Sequence, residues 1–182
     1  MTDSEITYVK GILTNAKVLE FGSGGSTITF APIARLYHSV EHDKQWFDNV
    51  GRDVSCQGLE RQCVPPVPGS WFKDESNKSI WSSLRTKGGN MSPTSWDDLD
   101  RTVNGWHDYT HAPDVWNEIY DCMLVDGRAR PECVKHNIHR LRDGGYVLFH
   151  DWTFRPHYHI ILERMELVDI VDTLAILKVK SC

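Results

Sequence analysis

The hydrophobic and polar positions of this chain alternate between two periods, and the changes of period mark out its elements. Residues 4–15 carry apolar Ile6, Val9 and Leu13 at helical spacing behind a cap-like Ser4, which predicts an opening helix. Residues 18–22 form a short apolar run that stops at Gly22-Ser23-Gly24-Gly25-Ser26-Thr27. After that loop, Ile28, Phe30, Ala31 and Ala34 suit a helix. Strand, glycine turn and helix open a wound α/β unit. Residues 36–41 read as a second strand with a helical turn over 44–50 behind it, and a third strand falls near 59–64. Residues 120–126 are apolar enough for a central parallel strand. A helix is expected over 133–142, ended by Asp143-Gly144-Gly145, before a fifth strand over 146–150. The runs 167–171 and 174–179, separated by Asp172 and Thr173, are expected to pair as an antiparallel hairpin. The sum is a doubly wound, mostly parallel α/β sheet with an antiparallel terminal edge.

One stretch breaks this rhythm. Residues 65–114 are rich in Pro, Gly, Ser and Asn, carry Trp71, Trp81, Trp96 and Trp106, and are too long for a plain connection. They read as an insertion forming a lid or acceptor-binding element within one domain spanning 1–182. A chain of 182 residues with 40% hydrophobic composition fits one core.

Charge narrows the partners. The net charge of −5 contains no basic block, so nucleic acid is not an expected partner. No run reaches the roughly 18 apolar residues of a spanning helix, and the first residues lack a signal-peptide order, so a cytosolic or nuclear protein without membrane contact is expected. The five cysteines are odd in number and lack a CxxC pair, which argues against a disulfide framework and a zinc site.

The glycine loop is the first chemical signal. Glycines let a ligand approach the backbone closely and leave N–H groups free at a helix start. Glu41 follows about twenty residues later at the tip of the second strand, where a carboxylate can bind a ribose diol. The combination points to an adenosine-containing ligand bound by Gly22, Ser23, Gly24, Gly25, Ser26, Thr27 and Glu41. A dinucleotide fingerprint wants a third glycine or alanine where Thr27 stands, which disfavours a nicotinamide-dependent oxidoreductase. A non-catalytic binding module is a further alternative.

The run Glu20-Phe21-Gly22-Ser23-Gly24 resembles the first motif of class I S-adenosylmethionine-dependent methyltransferases. The likeness implies that Glu20 helps to hold the region around the methionine amino group, with Phe21 beside it. The segment Val125-Asp126-Gly127-Arg128-Ala129-Arg130 and the later His150-Asp151 resemble the sugar O-methyltransferase branch, which includes glucuronoxylan methyltransferases and algal-virus rhamnose-methylating domains. The resemblance covers 18 to about 158 outside the insertion. It implies methyl transfer from S-adenosylmethionine to a hydroxyl of a sugar or related small molecule, with methylation of a nitrogen or sulfur as the alternative.

Asp126 ends the fourth strand and His150-Asp151 end the fifth, so all three project from the carboxyl edge of the sheet. A hydroxyl must be aligned and relieved of its proton as it attacks, and His150 is the natural base because its ordinary pKa lies near neutrality. Asp126 and Asp151 also suit Mg2+, a cofactor the resemblance permits without requiring. Alternatively Asp126 orients the methyl donor or caps a helix, His150 bonds to backbone, and Asp151 caps the following segment. Arg128 and Arg130 can clamp an acidic acceptor or form salt bridges. Tyr109 and His111, with neighbouring His107 and Asp108, are candidates for the acceptor cleft, as are Arg155 and Tyr158 beside His157. Trp71, Trp81, Trp96, Trp106 and Trp116 can serve as sugar platforms, although tryptophan more often serves packing.

Overall fold

The computed structural model describes residues 1–65 and 106–180. The part of the insertion over 66–105, with Trp71, Trp81 and Trp96, lies outside the described residues. The elements are α1 (Asp3–Leu13), β1 (Lys17–Phe21), α2 (Gly25–Phe30), β2 (Leu36–Glu41), α3 (Lys44–Asp53), β3 (Leu59–Cys63), α4 (His107–His111), β4 (Tyr120–Val125), α5 (Arg130–Asn137), β5 (Leu141–Phe149), β6 (Met165–Val171) and β7 (Leu174–Val179). Short 3-10 segments occupy Ala31–Ile33, Ala112–Val115, Ile138–Arg140 and Pro156–Glu163.

The strands form one seven-stranded sheet in the order β3-β2-β1-β4-β5-β7-β6. All pairs are parallel up to β5, and β7 joins β5 and β6 antiparallel, as the sequence pattern predicts. The strand period of two divides the core between two layers. Leu19, Phe21, Met123, Val125, Val147 and Phe149 face Trp106, Tyr109, Val134 and Tyr158. Val18, Tyr37, Cys122, Leu124 and Leu148 face Val9, Leu13, Phe30 and Val50 on the other side. Cys122 and Cys133 are buried free thiols, and Cys56 and Cys63 are partly buried ones. No helix among the described residues is long and apolar enough to cross a membrane.

Several boundaries differ from the pattern. Helix α1 is capped by Thr2 rather than Ser4: Glu5 N donates to Thr2 Oγ1, and Thr2 N donates to Glu5 Oε2, a reciprocal box that satisfies two otherwise orphaned amides. Helix α3 runs three residues past 50, to Asp53. Helix α5 spans Arg130–Asn137 instead of 133–142. Pro131 favours the early start because its missing N–H costs nothing in a first turn. At the other end, Asn137 Nδ2 donates to Cys133 O and to Thr110 O, closing the last turn with a side chain. The chain is therefore already extended at Leu141. Gly144, at φ 69°, falls inside β5 at an irregularity in its pairing with β4 rather than after a helix.

Candidate functional site

The tips of β1, β2, β4 and β5 stand side by side. Gly22 N donates to Val40 O, Asp126 N to Phe21 O, and His150 N to Val125 O, so the turns that follow are fixed relative to each other by backbone bonds. Gly22 is at φ 98°, and a Cβ there would sit 2.6 Å from Gly127 N. Only glycine satisfies both the backbone angle and the close approach.

Between these turns lies a cavity of about 650 Å³, within the range that small-molecule sites occupy. Its walls include Gly22–Ser26, Glu41–Asp43, Trp46, Asp126–Arg128, Arg130, Met1 and, from α1, Ile6. Glu41 Oε1 accepts from His42 N and Asp43 N, which fixes its carboxylate at the rim. Trp46 Nε1 donates to Ser23 O at 2.6 Å and holds an indole that is half exposed against the glycine loop.

Glu20 does not line this cavity. It is fully buried behind the loop and accepts from Ser26 Oγ, Thr27 Oγ1 and Ser39 Oγ at 2.5–2.6 Å. Burial pushes its carboxyl up to about 6 against the lowering effect of those hydroxyls. Thr27 Oγ1 also accepts from Gly24 N, so the threonine that stands at the third glycine position braces the turn. Phe21 is likewise buried, packed at 5.6 Å on Tyr109. Glu20, Phe21 and Thr27 thus shape the loop from behind, whereas Gly22 to Ser26 and Glu41 face the cavity.

The second wall is ionic. His150 Nδ1 lies 3.0 Å from Asp126 Oδ1 and 3.5 Å from Asp151 Oδ1, while Nε2 lies 3.4 Å from Glu5 Oε2. Burial alone depresses the histidine pKa, but the hydrogen bond to Asp126 and the three surrounding carboxylates outweigh it and raise it. The carboxyl of Asp126 behaves oppositely: burial raises it, and the His150 bond together with Arg130 holds it below its usual range. Arg130 is itself buried; its Nη2 stands 3.2 Å from Asp126 Oδ1 and 3.1 Å from Asp151 Oδ2. The same guanidinium donates to the carbonyls of Gly127, Asp126 and His150. Asp151, at φ 58°, is also 3.6 Å from Arg155 Nη2.

Asp126, His150 and Asp151 bring one ligand atom each within 4.8 Å of one another. They nevertheless do not fit Mg2+ as placed. The position between the two carboxylates is held by a guanidinium, and the third donor is an imidazole where Mg2+ takes oxygen.

The expected acceptor residues divide. Arg128 and Arg130 line the cavity. Tyr109 is buried, with Oη donating to Val40 O and a hypothetical Gly127 Cβ pressing on it. Tyr158 is fully buried against Phe149 and accepts from Arg155 Nη1 at 2.6 Å. His111 sits in a cluster of histidines on α4 and α5, and Trp106 and Trp116 are core residues. Sequence reasoning missed Trp46, Met1 and Ile6 at the cavity and Glu5 behind His150. Trp46 was within reach, since it lies in the first turn of the helix that follows Glu41, but no local pattern joins α1 to a site built at the strand tips.

No family model matches the chain, nor does any curated protein. Solved structures do. The fold is the Rossmann-like fold of class I methyltransferases. A methyltransferase-like protein from Silicibacter pomeroyi superposes at TM-score 0.66 with 24% identity, covering 99% of this chain and 87% of that one. The N-methyltransferase NodS of Bradyrhizobium japonicum, bound to S-adenosyl-L-homocysteine, gives 0.56 at 13% identity over 97% and 86%. An rRNA methylase from Streptococcus thermophilus gives 0.54 at 10% identity over 97% and 94%. These neighbours differ in acceptor, so they do not single out the sugar branch. The presence of an rRNA methylase among them leaves the argument against nucleic acid resting on charge alone.

Proposed function

We propose that this chain is an S-adenosylmethionine-dependent methyltransferase acting on a hydroxyl of a sugar or related small molecule. The observation that carries the reading is the cavity between the Gly22–Ser26 turn and Asp126–Arg128, with the Glu41 carboxylate fixed at its rim. Glu41 suits the ribose diol, the indole of Trp46 offers an apolar face, and Asp126 suits a cationic group. Gly22 to Ser26 let the donor approach the backbone.

The bound donor supplies an electrophilic methyl on a sulfonium. The acceptor oxygen forms the new bond to that carbon as the sulfur–carbon bond breaks, releasing S-adenosylhomocysteine. The acceptor proton passes to the Asp126–His150 pair, whose hydrogen bond joins the cavity wall to the imidazole behind it. Asp151 and Arg130 keep that pair aligned, and Arg128 borders the acceptor. In this reading no step needs a metal.

Calorimetric titration with S-adenosylhomocysteine, run beside NAD, tests the donor. Binding of the former alone supports the reading, and an acceptor screen on sugars, amines and thiols then decides the nucleophile. Binding of NAD alone, or of neither, overturns it.

A further inference from the structure

A second group of polar side chains lies away from the cavity, where α4 meets α5. His107 and His111 stack with ring centroids 3.9 Å apart, His111 and His136 at 3.6 Å, and His139 follows at 6.1 Å from His136. Asp114, on the 3-10 turn after α4, places Oδ1 3.1 Å from His136 Nε2. We infer that His111, Asp114 and His136 form a binding site for a divalent first-row transition ion of the zinc type, separate from the Asp126–His150–Asp151 cluster.

Geometry and ligand chemistry carry this together. The three residues bring one ligand atom each within 4.8 Å of one another. A tetrahedral ion with bonds of 2.0–2.2 Å needs its donors about 3.4 Å apart, so closure asks for movement of roughly 1.4 Å or less. Two imidazoles and one carboxylate suit zinc, nickel or copper and do not suit Mg2+ or Ca2+. The tautomer of His111 is already set: Nδ1 donates to the His107 carbonyl at 2.8 Å, which leaves the Nε2 lone pair for a metal. Arg140 Nη2 donates to the same Asp114 Oδ1 at 2.9 Å and Nη1 donates to Trp116 O, so the guanidinium fixes the carboxylate beside His136 and is displaced from that oxygen, or shares it, when an ion binds. Its positive charge opposes the ion and weakens binding. The frame is rigid because buried Asn137 ties α5 to the Thr110 carbonyl of α4. Three protein ligands leave the fourth position to water. The ion would staple the turn that closes the insertion to the helix that carries Arg130.

The test uses tag-free, chelator-treated protein titrated with zinc sulfate in a calorimeter, and with Co2+ followed by its visible absorption. One equivalent should bind and raise Tm by at least about 3 °C at a hundredfold excess over Kd. His111→Gln and His136→Gln should each weaken binding at least about tenfold while melting like the parent without metal. Asp151→Asn should leave it unchanged. The absence of saturable zinc binding in the parent protein overturns the site and does not depend on any variant folding. Binding that survives both histidine changes, or that falls with Asp151→Asn instead, overturns it equally.

Discussion

The two walls of the cavity are built by different means. The wall made by β1 and β2 is held by backbone and hydroxyl groups: three hydroxyls converge on one buried carboxylate, and two amides fix another. The wall made by β4 and β5 is ionic, with Asp126, Asp151 and Glu5 gathered about His150 and Arg130. The first wall has one carboxyl pushed towards neutrality, Glu20 at about 6, held by neutral hydroxyls. An ionic wall depends on each partner and on its protonation. That contrast makes the two walls separable by experiment.

The largest effect is expected at the ionic wall. Arg130→Ala leaves two carboxylates and three carbonyls without their shared donor and should destabilise the fold by about 3–5 kcal/mol, read by chemical denaturation. A smaller loss would mean that the wall is held by His150 instead. At the backbone wall, Gly22→Ala meets Gly127 and a left-handed backbone angle. It should weaken S-adenosylhomocysteine binding at least about a hundredfold. Unchanged binding would remove that turn from the donor site.

Asp126→Asn should lower kcat at least about a hundredfold while donor binding changes much less, which separates proton handling from binding. His150 supplies the pH signature. Its folded pKa is raised above the ordinary 6.5, so its contribution to stability is fully present below about 6.5 and lost as pH rises through the higher folded value. As a base it must be deprotonated, so kcat/KM should rise over the same interval. His150→Gln should flatten both slopes. Parallel slopes in the parent protein would sink the assignment of one group to both. The smallest expected change is with Mg2+: adding or chelating it should shift S-adenosylhomocysteine affinity by less than about twofold, because Arg130 already serves the carboxylates of Asp126 and Asp151.

Local pattern decided much of this molecule. Short apolar runs placed all seven strands and the antiparallel hairpin, since burial on both faces of a parallel sheet leaves no polar face to alternate. The glycine turn, Glu41, and the acids ending β4 and β5 followed, because strand tips at one sheet edge must converge. What only tertiary structure decided was the destination of each polar group. Glu20 and Arg130 carry the residue types of ligand contacts, yet Glu20 closes a hydroxyl network behind the loop, and Arg130, though it reaches the cavity wall, is committed to internal ion pairs. Glu5, distant in sequence, faces His150, and His111 and His136 meet across two helices. The reason is physical. Periodicity reports which face of an element is buried, whereas hydrogen-bond and ion-pair partners are set by distances between elements that no local window contains.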